Sequence, residues 1–437
     1  MKYLKNLIKT SILLATIFQG VLVGQDSLDI KGIKIPFIYE KNSNLPIVSM
    51  QLVFKASGAI KDADKPGLAR FSTMILNEGT KSLGAVGFAT RLEQKAISFT
   101  VHSGVETLVF EINSLKENFD FALKELKELL SEPNLTKESI EKVRLLSLAT
   151  LSRKESDFDY LASKELKRLF FEGTPLENSS FGTVQSVQKI SLEDVKDFIK
   201  EHLTLANAVV VLGGDIVKEE IEQELMKALS SLPHGEKREI SHILPNEKMQ
   251  EIEIIKPSEQ AYVYFGSPFN LDSTSKEQYK AKVASFILGA SGFGSRLMEE
   301  IRVKRGLAYS AYGRVSIDKS SSKFSGHLQT KNSNKDEAVK LVKEVVSSFV
   351  KNGVTSEELE QAKRFLLGSE PLRNETLSQR LSRDFREYYL DLERGYFQKE
   401  LELINDLTLE ELNDFIKKHP EISSLTFAIV TNKDEDR

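Results

Sequence analysis

The residue types best suited to chemistry in this sequence lie around one glycine in its second half. In the stretch 299–309, EEIRVKRGLAY, Arg302 precedes Gly306 and Tyr309 follows it. Early acidic and late basic residues predict a helix, with Ser295 as its N-cap and Gly306 as a left-handed stop. Arg302 and Tyr309 then lie on either side of a tight reversal and could bind one ligand together. A plainer interpretation stays open, in which the arginine faces the helix dipole and the tyrosine is core.

The residues after this glycine predict a strand. Their polar and apolar types alternate with a period of two. One face would carry Leu307, Tyr309, Ala311 and Val315, and the other Ser310, Tyr312 and Arg314. Tyr312 would therefore point away from Tyr309.

The composition limits which other chemistry is available. The chain has 437 residues, so we expect two or more domains, and its net charge of −4 gives no reason to expect a nucleic-acid partner. It has no cysteine, which excludes disulfides, thiolate metal sites and a cysteine nucleophile. Its six histidines include no local HxxxH pair. The one local cluster that could form a different metal site is His102 with Glu106 and Glu111. On a strand, the odd spacing between His102 and Glu111 places Glu111 on the opposite face.

Residues 1–24 predict an export signal. Lys2, Lys5 and Lys9 precede an uncharged apolar run that is short for a membrane span. We expect the segment to be removed and the mature chain to be periplasmic or secreted. A retained N-terminal membrane anchor is the alternative, and no later segment has the pattern of a transmembrane helix.

An internal repeat predicts two copies of one α+β unit. SLEDVKDFIKEH at 191–202 matches TLEELNDFIKKH at 408–419 in seven of twelve positions, and 136–144 resembles 355–363. His202 and His419 fall at equivalent helix ends, which favours capping over catalysis. The proline-containing stretch 233–258 predicts a linker between an N-terminal domain, 25–232, and a C-terminal domain, 259–437.

Two further motifs require an interpretation. The stretch 67–80, GLARFSTMILNEGT, predicts a helix with Arg70, Thr73 and Met74 on one face and Leu68, Phe71 and Ile75 turned inward. The glycine-rich stretch 289–296 precedes a helix, but its spacing fits neither a phosphate loop nor a dinucleotide fingerprint. We expect it to be a flexible loop.

The stretch 67–80 resembles the zinc-site helix of the pitrilysin-like, inverted-zincin peptidases of family M16. Arg70, Thr73 and Met74 stand where that family has the His, Glu and His of HxxEH. Arginine cannot bind a cation, methionine is a poor zinc ligand and threonine cannot act as a general base. The third family ligand is a glutamate in the helix that begins near Thr136, and no glutamate lies between Leu145 and Ser152. The resemblance therefore implies a degenerate zinc site, with no metal or cofactor in this chain.

Arg302 and Tyr309, seven residues apart, resemble the second family signature, and 292–297 resembles the segment before it. In the family this pair binds the substrate backbone and supports the oxyanion. The resemblance implies two homologous α+β domains of the LuxS/MPP-like metallohydrolase type, each an antiparallel-rich sheet packed with helices.

Some two-chain family members divide the active site between a zinc-bearing chain and a partner that keeps only the Arg/Tyr pair. The resemblance thus predicts a zinc-less subunit that pairs with a homologous HxxEH subunit, which would hold the zinc, to degrade peptides or unfolded polypeptides. Arg302 and Tyr309 would be its catalytic and substrate-binding residues. The alternative is a non-enzymatic assembly or peptide-holding protein with the same fold.

Overall fold

The structure is a computed structural model that describes residues 26–62 and 64–432. The predicted export signal, residues 1–24, lies outside the described residues. Within the described ranges, no helix is long and apolar enough to cross a membrane.

The first half of the chain forms a six-stranded sheet with helices around it. Its strands are β1 (Ser27–Ile30), β2 (Ile33–Lys41), β3 (Ile47–Lys55), β4 (Ser98–Ser103), β5 (Thr107–Leu115) and β6 (Ala208–Gly214). Its helices are α1 (Leu68–Leu76), α2 (Gly84–Glu93), α3 (Phe119–Ser131), α4 (Lys137–Lys154), α5 (Phe158–Phe171), α6 (Val184–Lys189), α7 (Leu192–His202) and α8 (Lys218–Leu229). The strand order is β1-β2-β6-β3-β5-β4, with β2 parallel to β6 and all other neighbours antiparallel.

The second half forms a five-stranded sheet. Its strands are β7 (Glu251–Ile255), β8 (Gln260–Pro268), β9 (Ala308–Ile317), β10 (Ser322–Lys331) and β11 (Thr426–Thr431). Its helices are α9 (Gln278–Ser285), α10 (Arg296–Met298), α11 (Lys335–Asn352), α12 (Ser356–Gly368), α13 (Glu370–Arg373), α14 (Leu377–Tyr389), α15 (Tyr396–Asp406) and α16 (Leu409–Lys417). The strand order is β7-β11-β8-β10-β9, with β7 parallel to β11 and the other pairs antiparallel.

The two sheets have the same topology, which confirms the internal repeat and the α+β fold class. The order β2-β6-β3-β5-β4 in the first half matches β7-β11-β8-β10-β9 in the second. The repeated sequence motif begins α7 and α16, and in both helices the N-cap, Ser191 or Thr408, forms a capping box. Local sequence therefore sets the helix starts identically in both copies.

One helix of each half packs against the sheet of the other half. Helix α5 of the first half packs against β8 and β11, where Leu166 and Phe170 join a cluster with Ala428. Helix α14 of the second half packs against β2 and β6, where Leu381 meets Val209 and Val211. The outer face of each sheet is thus covered from across the molecule.

Polar contacts add to this exchange. Glu106, in the β4–β5 turn, accepts hydrogen bonds from the backbone N–H of Ser320 and from the hydroxyl of Tyr389, both at 2.6 Å. Burial and the charge of Glu106 raise the pKa of Tyr389, so its hydroxyl stays protonated as a donor. Strand β7 lies within the segment 233–258 and adds residues 251–255 of it to the second sheet. The domain boundaries drawn from the sequence stay a prediction.

One predicted helix is wrong in its extent. The sequence predicts a single helical region from Thr136 to about Phe171, but the structure has two helices there. Asp157 begins the second, because its carboxylate accepts a hydrogen bond from the backbone N–H of Tyr160 at 3.0 Å. This break lets α5 leave the first half and reach the second sheet.

Candidate functional site

Arg302 lies on a widened helical turn. After Ser295, whose hydroxyl caps the start, the helix makes one α-helical turn and then a π-helical segment, Glu299–Val303. Gly306 follows with φ of 62°, which confirms the predicted left-handed stop. Short π-helical segments are rare and often occur at functional sites, since they change where a side chain points.

A β-bulge at the start of β9 changes the setting of Tyr309. Leu328 pairs with Ala311 and Thr330 with Ala308, so Tyr309 and Ser310 together lie opposite Gln329. The predicted alternation is therefore wrong here: Ala311 is fully buried, whereas 81% of Tyr309 is exposed. The extra residue releases Tyr309 from the core-facing series and leaves its ring at the surface beside the helix end.

The structure brings Arg302 and Tyr309 together. The guanidinium carbon of Arg302 lies 4.5 Å from the ring centroid of Tyr309 and 4.7 Å from that of Phe293. Such contacts hold a guanidinium through the ring quadrupole without consuming its N–H donors. The neighbouring Lys304 and Arg305 pair with Glu300, but no ion pair or side-chain hydrogen bond joins Arg302 to any residue that the structure describes. Its donors are available to a ligand.

Phe293 is a member of this group that sequence reasoning missed. It lies in the glycine-rich stretch 289–296, and 67% of it is exposed despite its apolar ring. The predicted loop is shorter than this stretch, because residues 289–290 end a π-helical segment and Arg296 begins α10. A single large aromatic residue among glycines was the available signal. The Phe293–Arg302–Tyr309 group, which we call the aromatic clamp, presents a cation between two rings and a phenolic hydroxyl at the surface.

Helix α1 carries the predicted degenerate zinc positions. Leu68, Phe71 and Ile75 are buried as the sequence predicts. The start of the helix is held by Asp62, whose carboxylate accepts hydrogen bonds from the N–H groups of Gly67 at 2.7 Å and Ala69 at 2.8 Å. Burial raises the pKa of Asp62 to about 7, although these two hydrogen bonds oppose the shift.

Arg70, Thr73 and Met74 each contact other residues of the chain. The Arg70 guanidinium lies 4.5 Å from the ring centroid of Phe181. The Thr73 hydroxyl donates to the carbonyl oxygen of Arg70 at 2.8 Å, and the Met74 sulfur accepts a hydrogen bond from Ser147 of α4 at 3.6 Å. The cleft between α1 and α4 keeps about 10 Å³ of free space, close to one water position.

The remaining candidates for a metal site do not converge. His102 lies opposite Val109 in the β4–β5 pair, and Glu111 lies opposite Thr100. Glu106 is engaged with Ser320 and Tyr389 of the other half. Across residues 26–62 and 64–432, no group of three or more histidine, aspartate or glutamate side chains could hold a metal ion.

The two repeated histidines occupy equivalent places with different chemistry. Each ring contacts that of the phenylalanine four residues earlier in a tilted arrangement: His202 with Phe198 and His419 with Phe415. His202 is 3% exposed, and burial lowers its pKa to about 4. His419 instead contacts the carboxylate of Glu421 at 2.8 Å.

Comparisons with known proteins identify relatives along most of the chain. Residues 37–184 match the profile "Insulinase (Peptidase family M16)", and residues 189–366 match "Peptidase M16 inactive domain". A Helicobacter pylori (strain ATCC 700392 / 26695) protein named "Non-peptidase homolog YmxG" is 46% identical over 97% of this chain and 99% of its own length. The mitochondrial-processing peptidase subunit beta of Saccharomyces cerevisiae is 21% identical over 52% of this chain and 49% of its own.

A solved structure shows the same architecture. The peptidase M16 inactive domain from Pseudomonas fluorescens superposes with a TM-score of 0.85 at 25% sequence identity, covering 92% of this chain and 97% of that one. The superposition therefore extends across both halves.

Proposed function

Because this chain belongs to peptidase family M16, we propose that it is the zinc-less subunit of a two-chain peptidase. Its partner is a homologous subunit that carries HxxEH and binds the zinc. One observation carries the proposal: Arg302 and Tyr309 lie side by side, and the Arg302 guanidinium has no ion pair among the described residues. Arg70, Thr73 and Met74, which the family resemblance aligns with HxxEH, are engaged with other residues of the chain. A chain that keeps the pair without the metal offers half of an active site.

The two residues act on the peptide that the partner hydrolyses. The Arg302 guanidinium and the Tyr309 hydroxyl donate hydrogen bonds to the substrate backbone beside the scissile bond and to the oxygen that becomes negative in the tetrahedral intermediate. A zinc ion held by the HxxEH residues of the partner would supply an activated water. Phe293 and Tyr309 hold the guanidinium in place before substrate arrives, which limits the ordering cost at the moment of reaction.

Two features support the partner and the compartment. A relative, the yeast mitochondrial-processing peptidase subunit beta, is by its name one subunit of a peptidase. Residues 1–24 have the pattern of an export signal, so we place the complex in the periplasm or outside the cell.

The test is to purify the chain alone and with its HxxEH homologue, and to measure zinc content and cleavage of an unfolded polypeptide. We expect cleavage only in the complex. Arg302→Ala should lower kcat/KM about 10²–10³-fold, the usual effect of removing one oxyanion donor. Tyr309→Phe should lower it less, and neither variant should dissociate the subunits. Stoichiometric zinc or cleavage in the chain alone would refute the proposal.

Arg305→Ala is the matched control. Arg305 is three residues from Arg302 and exposed, but its guanidinium is paired with Glu300 at 2.8 Å. Its removal should leave turnover unchanged. Normal turnover in both Arg302→Ala and Tyr309→Phe would remove the role assigned to the pair.

A second candidate function is a non-enzymatic peptide-holding or assembly protein. The observation that favours it is the 46% identical relative, which is named a non-peptidase homolog. Such a protein would suppress aggregation of an unfolded polypeptide without cleaving it, alone or with its homologue. Arg302→Ala would leave that activity intact, because a purely structural role does not use an oxyanion donor.

A further inference from the structure

A large cavity lies in the second half, and neither Phe293, Arg302 nor Tyr309 of the aromatic clamp lines it. It encloses about 800 Å³ between α9, the outer strand β9, and the helices α12 to α15. This volume lies within the range of about 300–1,000 Å³ typical of ligand sites. Neither the metal-site cleft nor the Arg302–Tyr309 pair contributes a residue to its wall.

The cavity is the counterpart, in the second repeat, of the closed cleft beside α1. Helix α9 lies between β8 and β9 as α1 lies between β3 and β4. Ile287 and Leu288 stand 212 positions after Ile75 and Leu76, and the same step takes Arg70, Thr73 and Met74 to Lys282, Ser285 and Phe286. These last three residues line the cavity.

The cavity wall has an excess of positive charge. Its basic residues are Lys282, Arg314, Arg373, Arg383 and Arg386, and its acidic residues are Asp318, Glu370 and Glu400. Lys282 is paired with Glu400, a contact within the wall itself. Glu370 accepts a hydrogen bond from Asn374 at 2.6 Å and lies 3.9 Å from Arg383.

Three of the arginines form no close ion pair, although the charges of Arg314 and Arg386 act on the buried carboxyl of Asp318 in the same wall. Arg314, Arg373 and Arg386 are exposed, and their side chains form no ion pair or hydrogen bond with any described residue. Arg383 adds a buried donor: its Nε has no hydrogen-bond acceptor among the described residues, and the Asp384 carboxylate lies 3.8 Å from it. A buried donor without a partner is uncommon in folded proteins, and a bound acceptor would satisfy it.

Apolar rings line the same cavity as these cations. Phe286, Phe365 and Phe397 line the cavity, and Phe286 and Phe365 lie with ring centroids 5.0 Å apart. Phe365 is 54% exposed although its ring is apolar. A phosphate or another small anion would use the arginines and leave these rings in water, whereas a ligand with both carboxylates and apolar side chains would cover them.

We propose that this cavity binds an acidic peptide segment whose carboxylates meet the unpaired arginines and whose apolar side chains cover the phenylalanines. The site is separate from the proposed role of Arg302 and Tyr309 and does not depend on it. It allows the chain to hold a polypeptide without cutting it, and it selects segments that contain both acidic and apolar residues.

The test measures binding of two labelled peptides to the purified chain by fluorescence anisotropy. One peptide alternates glutamate with phenylalanine, and the other alternates lysine with phenylalanine. We expect only the acidic peptide to bind, and its affinity to fall as salt screens the charges. Arg314→Gln with Arg386→Gln should weaken that binding about tenfold or more, because two charge contacts are lost.

Three further variants separate the possible explanations. Arg364→Gln is the matched control, because Arg364 is an exposed arginine of α12 that does not line the cavity. Arg302→Ala should leave acidic-peptide binding unchanged, so failure of this site and failure of the proposed catalytic role are distinguishable. Phe365→Ser should weaken binding of the glutamate–phenylalanine peptide but not of a glutamate–serine peptide.

Several results would overturn the proposal. Equal binding of both peptides, or unchanged binding in a folded Arg314→Gln/Arg386→Gln variant, would show that the arginines do not select the ligand. Binding of inorganic triphosphate without binding of the acidic peptide would show that the cavity takes a small anion instead.

Discussion

The equivalent crevice is closed in the first repeat and open in the second. Beside α1, Arg70 stacks on Phe181 and Met74 meets Ser147, so about 10 Å³ of free space is left. Beside α9, Lys282 is held by Glu400 at the wall, and about 800 Å³ stays open. One fold position can therefore become a closed packing contact or an open charged cavity through a few side chains.

Rebuilding the zinc ligands is the strongest way to break this comparison. The variant Arg70→His/Thr73→Glu/Met74→His/Ser147→Glu places the family ligand types on the facing sides of α1 and α4, where Met74 and Ser147 already touch. We expect it to bind one zinc ion, measured by metal analysis after dialysis. The variant without Ser147→Glu should bind zinc more than ~10–100-fold less tightly, because loss of an outer-shell partner alone costs that much and the introduced glutamate would contact the metal directly. Equal zinc binding with and without that glutamate would contradict the assignment of this crevice.

Removing the cation at the equivalent position of the second repeat should cost stability. Lys282→Ala leaves Glu400, whose side chain is 4% exposed, without its partner. Loss of one member of a buried pair typically costs about 3–5 kcal/mol, and we expect about 3 kcal/mol because Lys282 is itself partly exposed. Denaturant unfolding measures the change. Adding Glu400→Gln should recover much of it, and a single variant as stable as the parent would refute the argument.

The two repeated histidines should give different pH responses. His202 has a folded pKa of about 4 against about 6.5 in the unfolded chain. Its contribution to stability is complete above pH ~6.5 and is lost as the pH falls towards ~4, because only the unfolded state takes up the proton. We expect about 2–3 kcal/mol over this window, removed in His202→Gln. The exposed His234 provides the control variant, and an unchanged slope in His202→Gln would contradict the burial argument.

A single substitution that opens the closed crevice should have the smallest effect on the free energy of unfolding. Arg70→Ala removes the guanidinium that lies 4.5 Å from the Phe181 ring centroid and the packing of its aliphatic stem. We expect a loss of about 1 kcal/mol by denaturant unfolding, since a partly buried cation–π contact is worth about that much. Arg364→Ala, on an exposed helix face, should change nothing measurable. A loss of stability as large as that in Lys282→Ala would contradict the proposed difference between the two crevices.

Local signals in the sequence were sufficient for some of these features. The helix starts at Ser191 and Thr408 depend on a hydroxyl and an acidic residue three positions later, so the repeat could be recognised directly. The proximity of Arg302 and Tyr309 followed from one glycine stop between a helix and a strand. Both features depend on residues close together in the chain.

Other features depend on contacts that no local pattern carries. The bulge that exposes Tyr309 arises from the register of β9 against β10, which periodicity cannot show. Phe293 joins the aromatic clamp because a glycine loop returns over Arg302. The break between α4 and α5 depends on Asp157. Its role in bringing α5 to the other sheet follows from the tertiary packing of α5 against β8 and β11, which no local pattern shows.

The crossing of α5 and α14 has a consequence for biosynthesis. The apolar outer face of the first sheet, including Val209 and Val211, finds its cover in a helix that ends at Tyr389. A chain emerging from the ribosome therefore completes its first sheet long before the segment that shields it exists. Until then that face is open to aggregation or to a chaperone. The two halves must finish folding together, and a fragment cut between them would lack a wall on either side.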